Sequence, residues 1–396
     1  MPLYKKTPCA SGRMGLLWTL ACVTDAAILE FGCMGHMLYG HKWLSYGGLT
    51  DRAELYSTHL DEKDIALGRI DRLEQAVEQI RKAKRVRGIF LLASSVPEMI
   101  GTDLRAIADT LNEEDSSGIP VITFGAGNFK ATLESGIEEA FYGLVRALPE
   151  ADENVDNSKK HPDINPLPDM DKGEKPVCLI MGNGCDRARF LADTKEIERI
   201  LTGAYGCTTL SGPGSPCSLE SLASATQADI TIVLRREGIK AAKELERRYG
   251  IPYLYGAPYG LKNTLEWVSS AGEILGRKAD KNFMDREIRQ AKHAIDTLRI
   301  YSRLKKDKAK ITVKGYPEIE DGIKAFACQE GGLAWEEGQI LMSGLPDIRR
   351  DKPPYGLETV RSTLSCDINP HEPPYMGFLG TLNLCDCWLK HIRNSR

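Results

Sequence analysis

From about Arg87 onward, short apolar runs alternate with amphipathic periods, the pattern of a parallel sheet flanked by helices. Gly88 to Ala93 and Pro120 to Phe124 predict buried strands. Between them Ile100, Leu104, Ile107, Ala108 and Leu111 mark one helical face, and a helix over Ala131 to Leu148 follows. Upstream, Ala26 to Phe31 predicts another strand, while Ile70, Leu73, Val77 and Ile80 lie along one face of a charged helix. Residues 1–150 are therefore expected to form an α/β domain. Residues 151–175 are rich in Asp, Pro, Lys and Asn with almost no large apolar side chain, which predicts an exposed linker. The alternation then resumes over 176–280, with strands at Val177 to Met181, Thr208 to Leu210 and Ile230 to Leu234 and helices near Thr194 to Leu201 and Gly238 to Tyr249. In the remainder, 281–396, a long period over Asn282 to Lys305 predicts a connector helix. Lys310 to Val313 predicts a strand and Ile319 to Cys328 a helix, and the tail beyond Gly344 is Pro-rich with cysteines near its end. No repeat of 20–50 residues stands out.

Composition narrows the classes. The chain has 396 residues, 42% hydrophobic and 27% charged, enough for two or three globular domains. With 52 basic against 55 acidic residues and no long basic stretch, nucleic acid is not an expected partner. The longest apolar stretch, Gly15 to Thr24, stops at Asp25, well short of the ~20 residues a spanning helix needs, so no membrane association is expected. Its length also suits a signal peptide, but the 11 cysteines are odd in number, scattered and without framework spacing. Reduced thiols in the cytoplasm are the better reading.

Few segments carry recognisable chemistry. Gly125-Ala-Gly127, Gly182-Asn-Gly184 and Gly212-Pro-Gly214 each place G-x-G after a strand, yet none completes G-x-G-x-x-G and no P-loop exists, so they read as turns. Cys385 and Cys387 near His391 lack the second ligand pair of a closed zinc site. No G-x-S-x-G nucleophile elbow is present. The informative cysteines are Cys9 and Cys33. Cys33 follows a strand in Glu30-Phe-Gly-Cys-Met-Gly-His36, where glycine-rich backbone leaves room beside the thiol and where open α/β sheets form ligand crevices. By itself this segment fits either a ligand site or a cysteine at a tight turn.

Three segments, in order, resemble the nitrogenase component 1 family of molybdenum-iron protein subunits, cofactor-assembly scaffolds and tetrapyrrole reductases. Pro8-Cys9-Ala10 is followed about two dozen residues later by Gly32-Cys33-Met-Gly. Next comes Ser57-Thr-His-Leu-Asp-Glu-Lys-Asp-Ile-Ala-Leu-Gly68, and then Ser94-Ser-Val-Pro-Glu-Met-Ile-Gly-Thr-Asp103. Glu244 to Pro252, ending in Tyr-Gly-Ile-Pro, and Pro374-Tyr-Met-Gly-Phe-Leu-Gly380 extend the likeness over most of the chain, with an abbreviated region from Gly332 to Pro370. The resemblance implies two to three Rossmann-like parallel-sheet domains and, in 281–396, a shortened third one.

It also implies a function. Family members hold an iron-sulfur cluster at a subunit interface on cysteines from three points, which fall here on Cys9, Cys33 and Ser95. Serine is a harder ligand, so the metal ligands carried over are Cys9 and Cys33. Two copies related by a two-fold axis would supply four thiolates for a 4Fe-4S cluster, and a heteromeric partner would do so equally. His36 and Glu98, with Ser95, are candidates for tuning such a cluster through hydrogen bonds and charge. The cysteine and histidine that anchor the family's molybdenum-iron cofactor fall on Leu234 and Asp367, and leucine cannot ligate. The implied role is a subunit of a nitrogenase-like reductase complex whose interface cluster relays electrons from a separate ATP-dependent iron-sulfur reductase to a substrate or cofactor. The alternatives are a scaffold for assembling a nitrogenase-type metal cofactor and a non-catalytic structural partner subunit.

Overall fold

The computed structural model describes residues 11–46, 54–83, 85–125, 131–149, 175–187, 189–304, 309–314, 316–336, 340–343 and 372–394. The predicted linker lies outside these residues except for Lys175.

The first stretch runs α1 (Gly12–Leu20), β1 (Ala26–Phe31), α2 (Met34–Tyr46), β2 (Glu54–Ser57), α3 (Glu62–Ala66), α4 (Asp71–Ala83), β3 (Gly88–Ala93), α5 (Ser95–Met99), α6 (Leu104–Glu113), β4 (Val121–Thr123) and α7 (Leu133–Arg146). Its strands form a parallel sheet in the order β2-β1-β3-β4. The order follows from burial: β1 and β3 are near-continuous apolar runs and take the centre, while the half-exposed β2 lies at an edge. α4 forms because Leu73, Val77 and Ile80 recur on one buried face, with acidic residues in its first turn and basic ones in its last.

The second sheet uses β5 (Val177–Met181), α8 (Phe190–Tyr205), β6 (Thr208–Ser211), α9 (Leu219–Ser224), β7 (Ile230–Val233), α10 (Ile239–Tyr249), β8 (Tyr253–Tyr255) and α11 (Gly260–Leu275), with parallel order β6-β5-β7-β8. Again the two fully buried strands, β5 and β7, are central. α12 (Lys281–Leu304) leads to β9 (Lys310–Lys314), α13 (Pro317–Ala325), a π-turn at Phe326–Glu330, β10 (Ala334–Trp335), β11 (Ile340–Ser343) and α14 (Gly377–Asn394). The third sheet is parallel, β10-β9-β11. The described residues thus form an α/β fold with three parallel sheets.

Two boundaries differ from the periodicity. The face predicted from Ile100 to Leu111 is split: α5 ends before Gly101, which takes φ +74°, and α6 starts afresh on Asp103, whose carboxylate accepts the amides of Arg105 and Ala106. Ile100 falls between the helices and is exposed. The helix expected over Ile319 to Cys328 starts earlier, with Pro317 in its first turn, and widens into the π-turn before Gly331.

The apolar stretch Gly15 to Thr24 contains most of α1, a helix buried all round and crossing α7 at backbone distance. A Cβ on Gly136 would lie 1.8 Å from the carbonyl oxygen of Gly12, and one on Gly15 would lie 2.2 Å from that of Leu133. Gly136→Ala is therefore expected to lose stability at the upper end of the ~1–3 kcal/mol typical of overpacking, because only backbone can yield. Urea unfolding of the variant against Gly143→Ala, whose added methyl meets the Phe124 ring instead, checks this. Equal losses would show that the crossing can relax.

One core joins the first and second sheets through α1, α7 and α10. A second joins the second and third through α8, α11, α12 and α14, and a third covers the other face of the first sheet.

Candidate functional site

In the first sheet the strand order reverses between β1 and β3, so the crevice beyond their carboxyl ends is the position where open α/β sheets take ligands. Gly32 and Cys33 leave β1 there, and Ser94 leaves β3 beside them, its amide bonded to the Phe31 carbonyl at 3.0 Å. Gly32 is required: a Cβ on it would sit 2.3 Å from Ser94 Oγ. Its amide donates to Thr58 Oγ1 at 3.0 Å and its carbonyl accepts the Leu60 amide at 2.9 Å, which fastens the Ser57–Gly68 segment against the Cys33 turn. That segment is fixed in turn by a capping box between Asp61 and Asp64, with Arg72 Nε 2.9 Å from the Asp64 carboxylate. Three segments distant in sequence thus converge on one rim.

Cys33 is a free, half-buried thiol. Ser94 Oγ is buried against Gly32 and has no hydrogen-bond partner among the described residues, a donor left open beneath the Cys33 turn. His36, half-buried on the first turn of α2, donates its amide to the Cys33 carbonyl at 3.1 Å. Burial and the Arg13 charge hold its imidazole below the usual histidine range, so the ring is neutral at pH 7. Ser95 and Glu98 lie on α5, which starts at the end of β3, and their side chains are outside what the structure describes. Cys9 also lies outside the described residues, two positions before Ser11. The helices leaving the crevice carry exposed apolar side chains, Met34 and Leu38 on α2 and Met99 with Ile100 at the end of α5. Among the described residues no three His, Cys, Asp or Glu side chains are set to enclose a metal ion. The site as folded therefore offers part of a donor set on an apolar rim.

Beneath Cys33 lies a pair that the linear pattern does not disclose. Glu30, fully buried in β1, is salt-bridged to Arg13 of α1. Burial raises the Glu30 carboxyl by more than the Arg13 charge lowers it. A glutamate inside the apolar run Ala26–Phe31 was the available signal, since charges are rarely buried without a partner.

The second sheet has its own reversal, between β5 and β7. Leu234 is fully buried there and offers only its carbonyl, which accepts from Arg187 Nη1 at 3.1 Å. The buried Arg235 donates to Asp186 at 2.8 Å and to Glu237 at 2.7 Å, and Tyr316 from the third sheet's first loop donates to Asp186 at 2.6 Å. Although burial works to raise it, Arg235 and Arg187 hold the Asp186 carboxyl below the usual range. A side-chain metal ligand at Leu234 is ruled out, and Asp367 is outside the described residues. The Gly182 and Gly214 turns pack on each other, Gly182 donating its amide to the Pro213 carbonyl at 3.1 Å. Cys385 is buried in α14, its thiol pushed up to about 12 by burial, and Cys387 is half-buried.

The profile of the nitrogenase component 1 type oxidoreductases matches residues 11–334, and the chain belongs to that family. It is 27% identical over 315 residues, 77% of its length, to the nitrogenase iron-molybdenum cofactor biosynthesis protein NifE of Clostridium pasteurianum, covering 62% of that protein. It is 25% identical over 253 residues, 62% of its length, to the nitrogenase molybdenum-iron protein alpha chain of the same organism, covering 42% of it. A light-independent protochlorophyllide reductase polypeptide of Bradyrhizobium sp. (strain ORS 278) is 26% identical over 224 residues, 56% of this chain and 40% of that one. The chain spans less than two thirds of the length of these relatives. A solved structure described as nitrogenase Cp1 at pH 6.5 superimposes with a TM-score of 0.74 at 15% identity, over 100% of this chain and 94% of that one. No helix among the described residues is long and apolar enough to cross a membrane.

Proposed function

We propose that this chain is a subunit of a nitrogenase-like reductase complex in the cytoplasm. Together with a second component 1-like subunit, identical or not, it holds a 4Fe-4S cluster that relays electrons from an ATP-dependent iron-sulfur reductase to a substrate or cofactor. The observation that carries the reading is Cys33: a free, half-buried thiol at the β1/β3 switch point, two residues before Gly35, where no atom lies within 4 Å of the position a Cβ would take, and on a rim of exposed apolar side chains. A thiolate donor with an incomplete set around it fits a cluster shared across an interface. Such a cluster, when bound, stores and passes single electrons. Cys9 would supply the second thiolate, Ser95 stands at the third family position, and His36 and Glu98 would tune the site. We take residues 1–150 as the domain carrying these ligands, 151–175 as a linker, and 176–280 and 281–396 as the domains that follow it.

Iron content and low-temperature EPR of strictly anaerobic protein, wild type beside Cys33→Ser, test this. About four irons per pair of chains, with a reducible signal that the variant loses, is the expected result. Unchanged iron in Cys33→Ser would overturn it.

A second reading is favoured by Leu234, which removes the anchoring thiolate of a resident catalytic cofactor, and by the relative named for cofactor biosynthesis. A scaffold would release its metal, so radiolabelled iron chased from this chain into an acceptor protein supports assembly, whereas retention supports the relay.

A further inference from the structure

Along β1 the side chains alternate, Ile28 and Glu30 towards α1 and Ala27, Leu29 and Phe31 towards the opposite core. Glu30 therefore sits at the top of the apolar layer between the sheet and α1. Arg13 Nη2 donates both to Glu30 Oε2 and, at 3.2 Å, to the carbonyl of His36. One guanidinium thus ties α1 to β1 and to the start of α2. Arg13 lies four residues after Cys9, and Glu30 lies three before Cys33.

A buried ion pair is no more stabilising than an apolar pair of the same volume, so its presence calls for another consequence. Here it has two. It adds a charged, directional contact to the apolar packing of α1 against β1. It also places a fixed positive and a fixed negative charge in a low-dielectric layer directly under the Cys33 turn, where charges act over long distances. Arg13 Nε and Glu30 Oε1 remain buried without hydrogen-bond partners among the described residues, and Glu30 Oε1 faces His36 Nδ1 at 3.8 Å.

We propose that the Arg13–Glu30 pair is a positioning element for the interface cluster, locking α1 to the segment that carries Cys33 and setting the cluster's reduction potential by its two opposed charges. This rests on the reading of Cys33 given above. Removing the negative member alone leaves an uncompensated positive charge and stabilises the reduced, more negative cluster. Removing the positive member alone does the reverse. A purely structural role shifts both variants in the same direction or neither.

The test is an EPR-monitored redox titration with dithionite at pH 8, with iron per chain, on anaerobic full-length wild type, Glu30→Gln, Arg13→Gln and the double variant. The expected result is a higher midpoint in Glu30→Gln, a lower one in Arg13→Gln, each by roughly tenfold in the reduction equilibrium, about 59 mV for one electron, and a double variant close to wild type. If the single variants lose iron, recovery of iron in the double variant shows the same coupling. Shifts of equal sign, no shifts, or equal iron loss in all three variants overturn the proposal. Iron-free wild type overturns the cluster reading itself and the proposal with it, whereas an iron-loaded wild type with unresponsive variants overturns the proposal alone.

Discussion

Arg235→Met is expected to destabilise the chain by about 3–5 kcal/mol, the cost of removing one member of a buried ionic group and leaving the others uncompensated. Arg235 is fully buried, and its two carboxylate partners, Asp186 and Glu237, are nearly so. Methionine fills comparable volume, so the loss measures charge rather than a cavity. Asp186 would keep only Tyr316 and the Arg187 charge, and Glu237 would lose the guanidinium that donates to it. Because Tyr316 comes from the β9–α13 connection and Glu318 from the first turn of α13, the same substitution loosens the join between the second and third sheets. Arg236→Met is the control: that side chain is half-exposed, and its ion pair with Glu318 is worth about 1 kcal/mol or less. Urea unfolding of both variants decides, and a loss below about 1 kcal/mol for Arg235→Met would show that the buried group is not a structural unit.

Asp193→Asn is expected to make the chain more stable at pH 8 and to remove part of its pH dependence. Asp193 is buried in α8 and accepts the amides of Tyr375 and Met376 at 2.6 and 2.8 Å, just ahead of α14. Burial pushes its carboxyl from 3.8 up to about 7 in spite of these donors. The folded chain therefore holds this proton more tightly than the unfolded one. Stability from this group is complete below about pH 4, falls as the pH rises, and levels off above about pH 7, a span of about 4 kcal/mol at most. Asparagine keeps the acceptor oxygen and never ionises. The difference between wild-type and variant unfolding free energies, taken from pH 5 to 8, should follow that slope, and parallel curves would show that Asp193 stays ionised throughout.

What the sequence disclosed depended on burial. β1, β3, β5 and β7 are covered on both faces, so their residues form unbroken apolar runs that stand out from any neighbour. The edge strands β2 and β8, Glu-Leu-Tyr-Ser and Tyr-Leu-Tyr, are short and half-exposed and carry no such run, and both went unseen. α14 was hidden for a different reason: its start is held from outside by Asp193 and by Glu196, which accepts the Leu379 amide at 3.0 Å, so no local cap announces it. At the candidate site the Cys33 turn was visible because glycine and cysteine are distinctive residue types. Arg13 and Glu30 belong together only through the pairing of α1 with β1, and nothing in the linear order connects them.

The sharing of one core between the second and third sheets bears on how the protein is made. Ile180, Ile197, Ile200 and Ile232 pack in the same cluster as Phe378, Leu384 and Trp388 of α14, which is synthesised after every other described element. Elements that leave the ribosome first usually fold first. The first sheet can follow that order, but the flank that the second sheet shares with α8, α11 and α12 stays incomplete until the last helix is made. Until α14 arrives, the nascent chain carries that flank open to chaperones, proteases and its own copies, so premature termination anywhere upstream of Trp388 would strand the middle of the protein rather than merely shorten it.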